Sequence, residues 1–483
     1  MSTSIPESDA AFSVWEVAAI TGGAVEGVGD PNLRGAGVST NSRNVAAGNL
    51  FVALRGDLHD GHKYVQNAWS AGAAFAVVSA ACGEGPRVVV PDTLDALGAI
   101  AREHLAAWRR CTPHAVTVAV TGSAGKTTTK EMLAALLQVR CETWKTPGNL
   151  NNRVGLPLAA LALRKTHRAI VLEVAMSVTG EIATLARIAQ ADVAIISSIG
   201  LAHAEGVGGR LSDVAREKGD LIRALGATGV AVLCADDPVA MAQRSGAACR
   251  TLKTFGRSAG ADVRLVARRL LGLQRAVLTI ERRAFPGAVL ELETPFPGEA
   301  QALDLCAAIA GADAALQTPL TPIELALGLQ ALVPLDGRGR LLRAASGATL
   351  VDDSYNANPD SVIRALELTI EMASQQGMRP RAVLGSMKEL GVASHQEHRR
   401  VIARAVDLGF ASVVGCGGEI DEAMMTFPNE GRLVPCGSVE AAIGLLCNSI
   451  SAEDLLLVKG SRTVGLERVL EALGGAALTT EDN

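Results

Sequence analysis

Residues Val118–Met132 read VAVTGSAGKTTTKEM, and the fold of the whole chain follows from how that stretch is taken. A short apolar run enters two glycines, then a lysine and three threonines, then a helical segment. Strand, glycine-rich turn, Lys, Thr and helix in that order make a phosphate cradle, because backbone N–H groups and the positive end of a helix face the anion. In this reading Gly122, Ser123, Ala124 and Gly125 form the turn and Lys126 reaches the terminal phosphates. The Thr127 hydroxyl, with Thr128 behind it, is placed for a magnesium ion. The longer pattern G-x-x-x-x-G-K-[ST] fails at its first position, Val120, and what stands is G-x-x-G-K-T over Gly122–Thr127. The plain alternative is a glycine-rich turn that merely starts a helix.

Outward from that loop, four apolar runs repeat the strand pattern: Ala115–Thr121, Ala169–Ala175, Asp192–Ile199 and Gly229–Ala235. β-branched runs alternating with amphipathic segments predict a parallel sheet covered by helices on both faces. Val263–Leu292 alternates in short pieces and predicts a β meander, followed by helices over Ala300–Leu316 and Pro322–Leu332. Beyond the punctuation of PLDGRGR, Pro334–Arg340, a second series of strands begins with GATLVDDS, RAVLGSM, ASVVGCGG and DLLLVKGS. Before the loop, Gly48–Gly56 reads as a strand, Tyr64–Ser79 as helix then strand, and Leu94–Arg110 as a helix closed by Cys111-Thr112-Pro113. The expectation is an α/β protein of three domains: a smaller mixed α/β unit over 1–112, a central phosphate-loop unit over 113–336, and a Rossmann-like α/β unit over 337–483.

Bulk properties narrow the class. The 483 residues are 48% hydrophobic and 20% charged, with a formal net charge of −5. That balance gives no basic footprint for nucleic acid and no cationic face for anionic lipid. The nine cysteines stand singly, without a C-x-x-C pair, which suits reduced thiols. The first twenty residues carry Glu7, Asp9 and Glu16 and no Lys or Arg, the wrong charge for a secretory leader. No apolar run approaches the roughly 18 residues that span a bilayer. A cytoplasmic enzyme without membrane insertion is expected.

Open α/β sheets bind ligands beyond the carboxyl ends of their strands. Glu173 sits late in IVLEVA, where a carboxylate costs several kcal/mol unless paired or metal-bound. His203 follows AIISSIG, and Lys218 lies in the helical segment AREKGDLIRAL. Each also has an ordinary reading: Glu173 buried against a basic group, His203 a loop histidine, Lys218 a solvated helix lysine.

The motifs in order carry a resemblance. TNSR (Thr40–Arg43), GDLHDGHKYVQNAWSAGA (Gly56–Ala73), GSAGKTTTKEM, TPGNLNNRVGLP (Thr146–Pro157), LEVAMSVTGEI (Leu172–Ile182), IGLAHAEGVG (Ile199–Gly208), DDSYNANPDS (Asp352–Ser361), AVLGSMKELG (Ala382–Gly391) and VKGSR (Val458–Arg462) together resemble the Mur ligases of bacterial cell-wall synthesis. SYNANPDS is the most specific of them, and separates this sequence from sister ligases and from folylpolyglutamate synthetases.

The resemblance implies an ATP-dependent amide ligase. ATP phosphorylates a peptide carboxylate, and the acyl phosphate is attacked by an amine to give amide, ADP and phosphate. The implied substrates are UDP-N-acetylmuramoyl-tripeptide and D-alanyl-D-alanine, and the implied cofactor is Mg²⁺; a monomer is expected. By the same analogy Lys126, Glu173, His203 and Lys218 carry the chemistry. Thr127 and Glu173 hold one metal, His203 and Glu173 a second, and Lys218 matches a lysine that is carbamoylated in many relatives. Asp304, Arg340, Asp353, Tyr355, Asn356 and Asn358 join the loop around ATP. Ser42 and Arg43 match a uridine-diphosphate pocket, beside a turn at Asp60–His62. Asn149, Asn152, Lys459 and Arg462 match positions near the peptide substrates. Relatives carry other residues where this chain has Ala124, Cys234, Ala300, Asp304 and Ser386. Asp304 stands where an Asn normally faces adenine, and an ionised carboxylate accepts hydrogen bonds but donates none. The alternatives are a folate-type or other-acceptor amide ligase, and a nucleotide-binding homologue without turnover.

Overall fold

A computed structural model describes residues 3–56, 59–80, 82–316 and 318–477. Asp57 and Leu58 of the Gly56–Ala73 motif lie outside the described residues. The chain folds as three α/β units in sequence order, each built on its own sheet.

The central sheet has nine strands. From one edge it runs Thr143–Lys145, Ala169–Glu173, Val116–Thr121, Val193–Ile196, Val230–Cys234, Thr251–Gly256 and Val263–Leu271, all parallel. Arg275–Arg282 and Val289–Thr294 then extend it antiparallel. The predicted meander is therefore not a separate piece: Phe255 and Gly256 pair with Val263 and Arg264 and weld it to the parallel sheet. The strands Thr143–Lys145 and Thr251–Gly256 escape the sequence reading because they are short and mostly polar.

The helix Lys126–Gln138 covers one face, burying Met132, Leu133, Leu136 and Leu137. It packs on the helix Glu299–Ala315, whose Leu305, Cys306, Ile309 and Ala312 are also buried. Each such leucine contributes about 2 kcal/mol by leaving water.

The C-terminal sheet has seven strands, ordered Leu433–Pro435, Ser412–Cys416, Arg379–Gly385, Asp454–Lys459, Thr349–Asp352, Arg340–Arg343 and Ala476–Ala477. Its first five are parallel, and the last two pairings are antiparallel. Asp353 and Lys459 thereby come to the carboxyl ends of adjacent parallel strands. The N-terminal unit holds a five-stranded sheet and a separate two-stranded pair, Ala11–Ser13 with Arg34–Ala36. The C-terminal unit closes on the central one through several contacts. Asn358 Nδ2 donates to Ser123 O at 3.3 Å, Arg268 pairs with Glu371, and Glu205 N donates to Glu389 O at 3.2 Å.

Candidate functional site

Between these two units lies a cavity of about 660 Å³. Its floor is the loop after the Val116–Thr121 strand, with Ser123, Ala124, Gly125, Lys126, Thr127 and Thr128 all on the lining. Gly125 is required twice over. Its φ is +80°, and a Cβ there would lie 2.1 Å from Asp304 Oδ1. Gly122 sits behind the lining, where a Cβ would meet Ser197 Oγ at 2.0 Å. Ser198 ties the loop down: its hydroxyl receives the Ala124 N–H at 2.9 Å. Lys126 Nζ donates to Gly122 O at 2.7 Å, and burial together with nearby Arg338 lowers its pKa against the pull of Glu173.

Glu173 ends its strand buried at the cavity wall. Oε1 accepts from Asn151 Nδ2 at 2.8 Å. Oε2 lies 3.6 Å from Lys130 Nζ and receives no hydrogen bond. Both Asn151 and Lys130 escaped the sequence reading. Lys130 is fully buried and also donates to Thr146 O at 2.8 Å and Gly148 O at 3.1 Å, pinning the Asn-rich loop to the phosphate-loop helix. Its signal was the motif itself, one helical turn past Lys126. Asn149 and Asn152 both line the cavity. Asn152 Oδ1 also caps the next helix by accepting from Gly155 N at 2.8 Å, and Asn149 Oδ1 accepts from the Thr3 hydroxyl at 2.7 Å.

His203 lines the cavity and lies against the Glu389 carboxylate of the C-terminal unit, which holds that carboxyl below its usual range. Both residues have left-handed backbones, at φ 58° and 64°. Lys218 is not a solvated helix lysine. It is 1% exposed, lies behind the loop rather than on the lining, and donates to Gly122 O at 3.1 Å. Burial, and then repulsion from Lys126, drive its pKa well below that of an ordinary lysine.

From the C-terminal unit, Asp353, Tyr355, Asn356, Asn358 and Lys459 all reach the lining. Lys459 Nζ donates to Asp353 Oδ2 at 2.6 Å and Asn356 O at 3.0 Å. Burial nevertheless outweighs Lys459 and raises the Asp353 pKa. Arg462 stands over the Tyr355 ring at 5.7 Å, without lining the cavity.

Arg340 is a correction. It pairs with Asp336 and does not line the cavity, whereas Arg338 does, with its guanidinium 4.4 Å from the Tyr355 ring centroid. Gly339 at φ +80° turns the backbone between the two arginines, and Arg340 is committed to a strand. Ser42 and Arg43 form a short 3₁₀ turn capped by Asn41 and stand apart from the cavity. His62 has a structural network there: Nε2 accepts from Ser79 N at 2.9 Å, so Nδ1 carries the proton that faces Asp60 at 2.7 Å.

Asp304 lines the cavity beside Gly125 and accepts from the Thr129 hydroxyl at 3.4 Å. Burial pushes its carboxyl up to about 7, against Arg364, the Thr129 bond and Arg338. Near neutral pH it is thus half protonated and able to donate as well as accept, as an Asn would. A folded value above the unfolded one stabilises fully below about pH 4 and is lost as pH rises through about 7. Asp304→Asn should therefore raise Tm by about 2–4 °C at pH 8 relative to wild type, with the gap closing toward pH 5. Thermal unfolding at the two pH values checks this; an equal gap at both would count against it.

The arrangement suits a polyanion at a helix N-terminus, with a carboxylate oxygen beside it and a second α/β unit over both. No cluster of three His, Cys, Asp or Glu side chains is preassembled among the described residues. The unpartnered, buried Glu173 Oε2 does fit a hard cation completed by phosphate oxygens and water.

Family models place these features in a known context. "Mur ligase family, catalytic domain" matches residues 35–105, "Mur ligase middle domain" 120–312, and "Mur ligase, glutamate ligase domain" 337–462. The UDP-N-acetylmuramoyl-tripeptide–D-alanyl-D-alanine ligase of Bacillus subtilis is 32% identical, over 90% of this chain and 93% of its own length. A crystal structure of MurF from Acinetobacter baumannii superimposes with a TM-score of 0.87 at 29% identity, covering 96% of this chain and 98% of that one. A MurF ligase from Thermotoga maritima in complex with ADP gives 0.78 at 29% identity, covering 90% and 96%.

Proposed function

The chain belongs to the Mur ligase family, and from that premise we propose that it joins D-alanyl-D-alanine to UDP-N-acetylmuramoyl-tripeptide, driven by ATP. The products are UDP-N-acetylmuramoyl-pentapeptide, ADP and phosphate, and the reaction serves peptidoglycan synthesis in the cytoplasm. Full-length relatives bear that activity in their names, and a related ligase was solved with ADP. The carrying observation is one cavity that brings the phosphate loop, Glu173 and the SYNAN residues together. Among the described residues no helix is long and apolar enough to cross a membrane.

We assign residues 1–112 to the uridine-linked substrate, with Ser42 and Arg43 in its diphosphate pocket. Residues 113–336 hold ATP, and 337–483 close over the nucleotide and the incoming dipeptide. The loop N–H groups and Lys126 bind the β- and γ-phosphates. Arg338, Asp353, Tyr355, Asn356 and Asn358 enclose the nucleotide from above, and Asp304 faces the base. Thr127 and Glu173 would hold one magnesium, and His203 with Glu173 a second. When bound, these ions supply neutralisation of two anions that otherwise repel. The protein's remaining task is alignment: the γ-phosphoryl passes to the tripeptide carboxylate, and the amine of the dipeptide displaces phosphate from that acyl carbon. Asn149, Asn152, Lys459 and Arg462 orient the peptides.

Coupled ADP release measures the claim directly. ADP should form only when D-alanyl-D-alanine and a uridine-linked tripeptide are both present, with diaminopimelate and lysine tripeptides compared side by side. A chain that consumes no ATP with either pair and magnesium would overturn the reading.

A further inference from the structure

The incoming dipeptide arrives with an ammonium group, and the cavity must meet it with negative charge. Most carboxylates on the lining are already committed. Asp353 is held by Lys459, Glu299 by Arg257, Glu371 by Arg268 and Glu367 by Arg404. Glu173 lies beside Lys130, and Asp304 sits against Thr129 at the start of the phosphate-loop helix.

Glu181 is different. It is only 9% exposed, lines the same cavity, and has no cationic partner among the described residues. Oε2 accepts from Ser177 N at 2.8 Å, and no group among the described residues donates to Oε1. Oε1 is therefore left open to the cavity, where an incoming cation can make a charge-assisted hydrogen bond to it. Its position is also the right one. The turn that carries it follows the carboxyl end of the Glu173 strand, and Ala175 N donates to Asn151 O at 3.0 Å. On the other side a Cβ on Gly206 would lie 1.7 Å from Ser177 O, so this turn packs directly on the His203 loop. Gly180 N is gripped by both oxygens of Glu217 at 2.9 and 3.0 Å, which fixes the residue before Glu181. The segment leading to Glu181 thus touches both the Asn-rich loop and the His203 loop.

We propose that Glu181 is the subsite for the ammonium group of the incoming dipeptide, an assignment that rests on the ligase reading above. It selects an amine-bearing acceptor and sets that nitrogen on the acyl-phosphate side of the cavity.

Glu181→Gln keeps the side chain's shape and its acceptor for Ser177 N. Three readouts separate the possibilities. Steady-state ligation gives the KM for D-alanyl-D-alanine, expected to rise about 10- to 100-fold, the range for a lost charge-assisted hydrogen bond. Positional isotope exchange in ATP, with tripeptide and no dipeptide, should persist at the wild-type rate, because acyl phosphate forms without the amine. Inhibition by N-propionyl-D-alanine, the same dipeptide without its amino group, should be equal in variant and wild type. A variant with the wild-type dipeptide KM, or one that loses exchange and ligation together, overturns the assignment while leaving the ligase reading intact. Absence of ligation by the wild-type protein overturns both.

Discussion

Lys126→Ala should lower ADP release by about 10³-fold while the protein stays folded. The lysine is the one side-chain cation on the loop that lines the cavity at the phosphate end, and Glu173 faces it. Among the described residues its hydrogen bond runs to Gly122 O, a carbonyl that Lys218 also serves, so its removal leaves that acceptor with a donor. The loop keeps its shape through Ser197 and Ser198, whose hydroxyls donate to Ala124 O at 2.5 and 3.1 Å. What disappears is charge compensation for a phosphoryl group in flight, a term realised chiefly in the transition state. Steady-state kinetics and circular dichroism check both halves. Turnover near the wild-type rate would remove the phosphate loop from the mechanism.

Lys218→Ala is expected to cost about 10²-fold or more in turnover, with partial recovery on adding formate or acetate. As an ammonium, Lys218 suits no metal site, and it lies beside a second lysine. Burial and that neighbour push its pKa well below that of an ordinary lysine, which favours the uncharged amine. An uncharged amine can add CO₂ and release a proton, and the resulting carbamate anion would relieve the lysine–lysine repulsion and supply an oxygen ligand in place of an ammonium. A short carboxylate in the space left by alanine would replace that oxygen imperfectly. Full activity without added carboxylate would refute the role, and mass spectrometry under ¹³CO₂ reads the carbamate itself.

Much of the fold was legible because parallel strands covered on both faces must be mostly apolar, and Val116–Thr121, Ala169–Glu173, Val193–Ile196 and Val230–Cys234 are, apart from Thr117, Thr121 and the terminal Glu173. Thr251–Gly256 was not, because its pairing rather than its composition makes it a strand. Fusion of the meander to the sheet edge was equally hidden, since edge pairing is settled by tertiary contact. At the site, the loop, Glu173 and the SYNAN residues carry motif-level signals. Lys218 does not: helical periodicity cannot reveal that its face is buried under the loop. The choice between Arg338 and Arg340 depends on a backbone turn at Gly339, which fixes which guanidinium reaches Tyr355.

His203 and Glu389 lie in loops of different units, yet each sits in a left-handed conformation that costs a non-glycine residue about 1 kcal/mol or more. They meet across the seam between the two units. Such strain persists only where the surrounding packing over-determines it, so both loops are held rigidly at this seam.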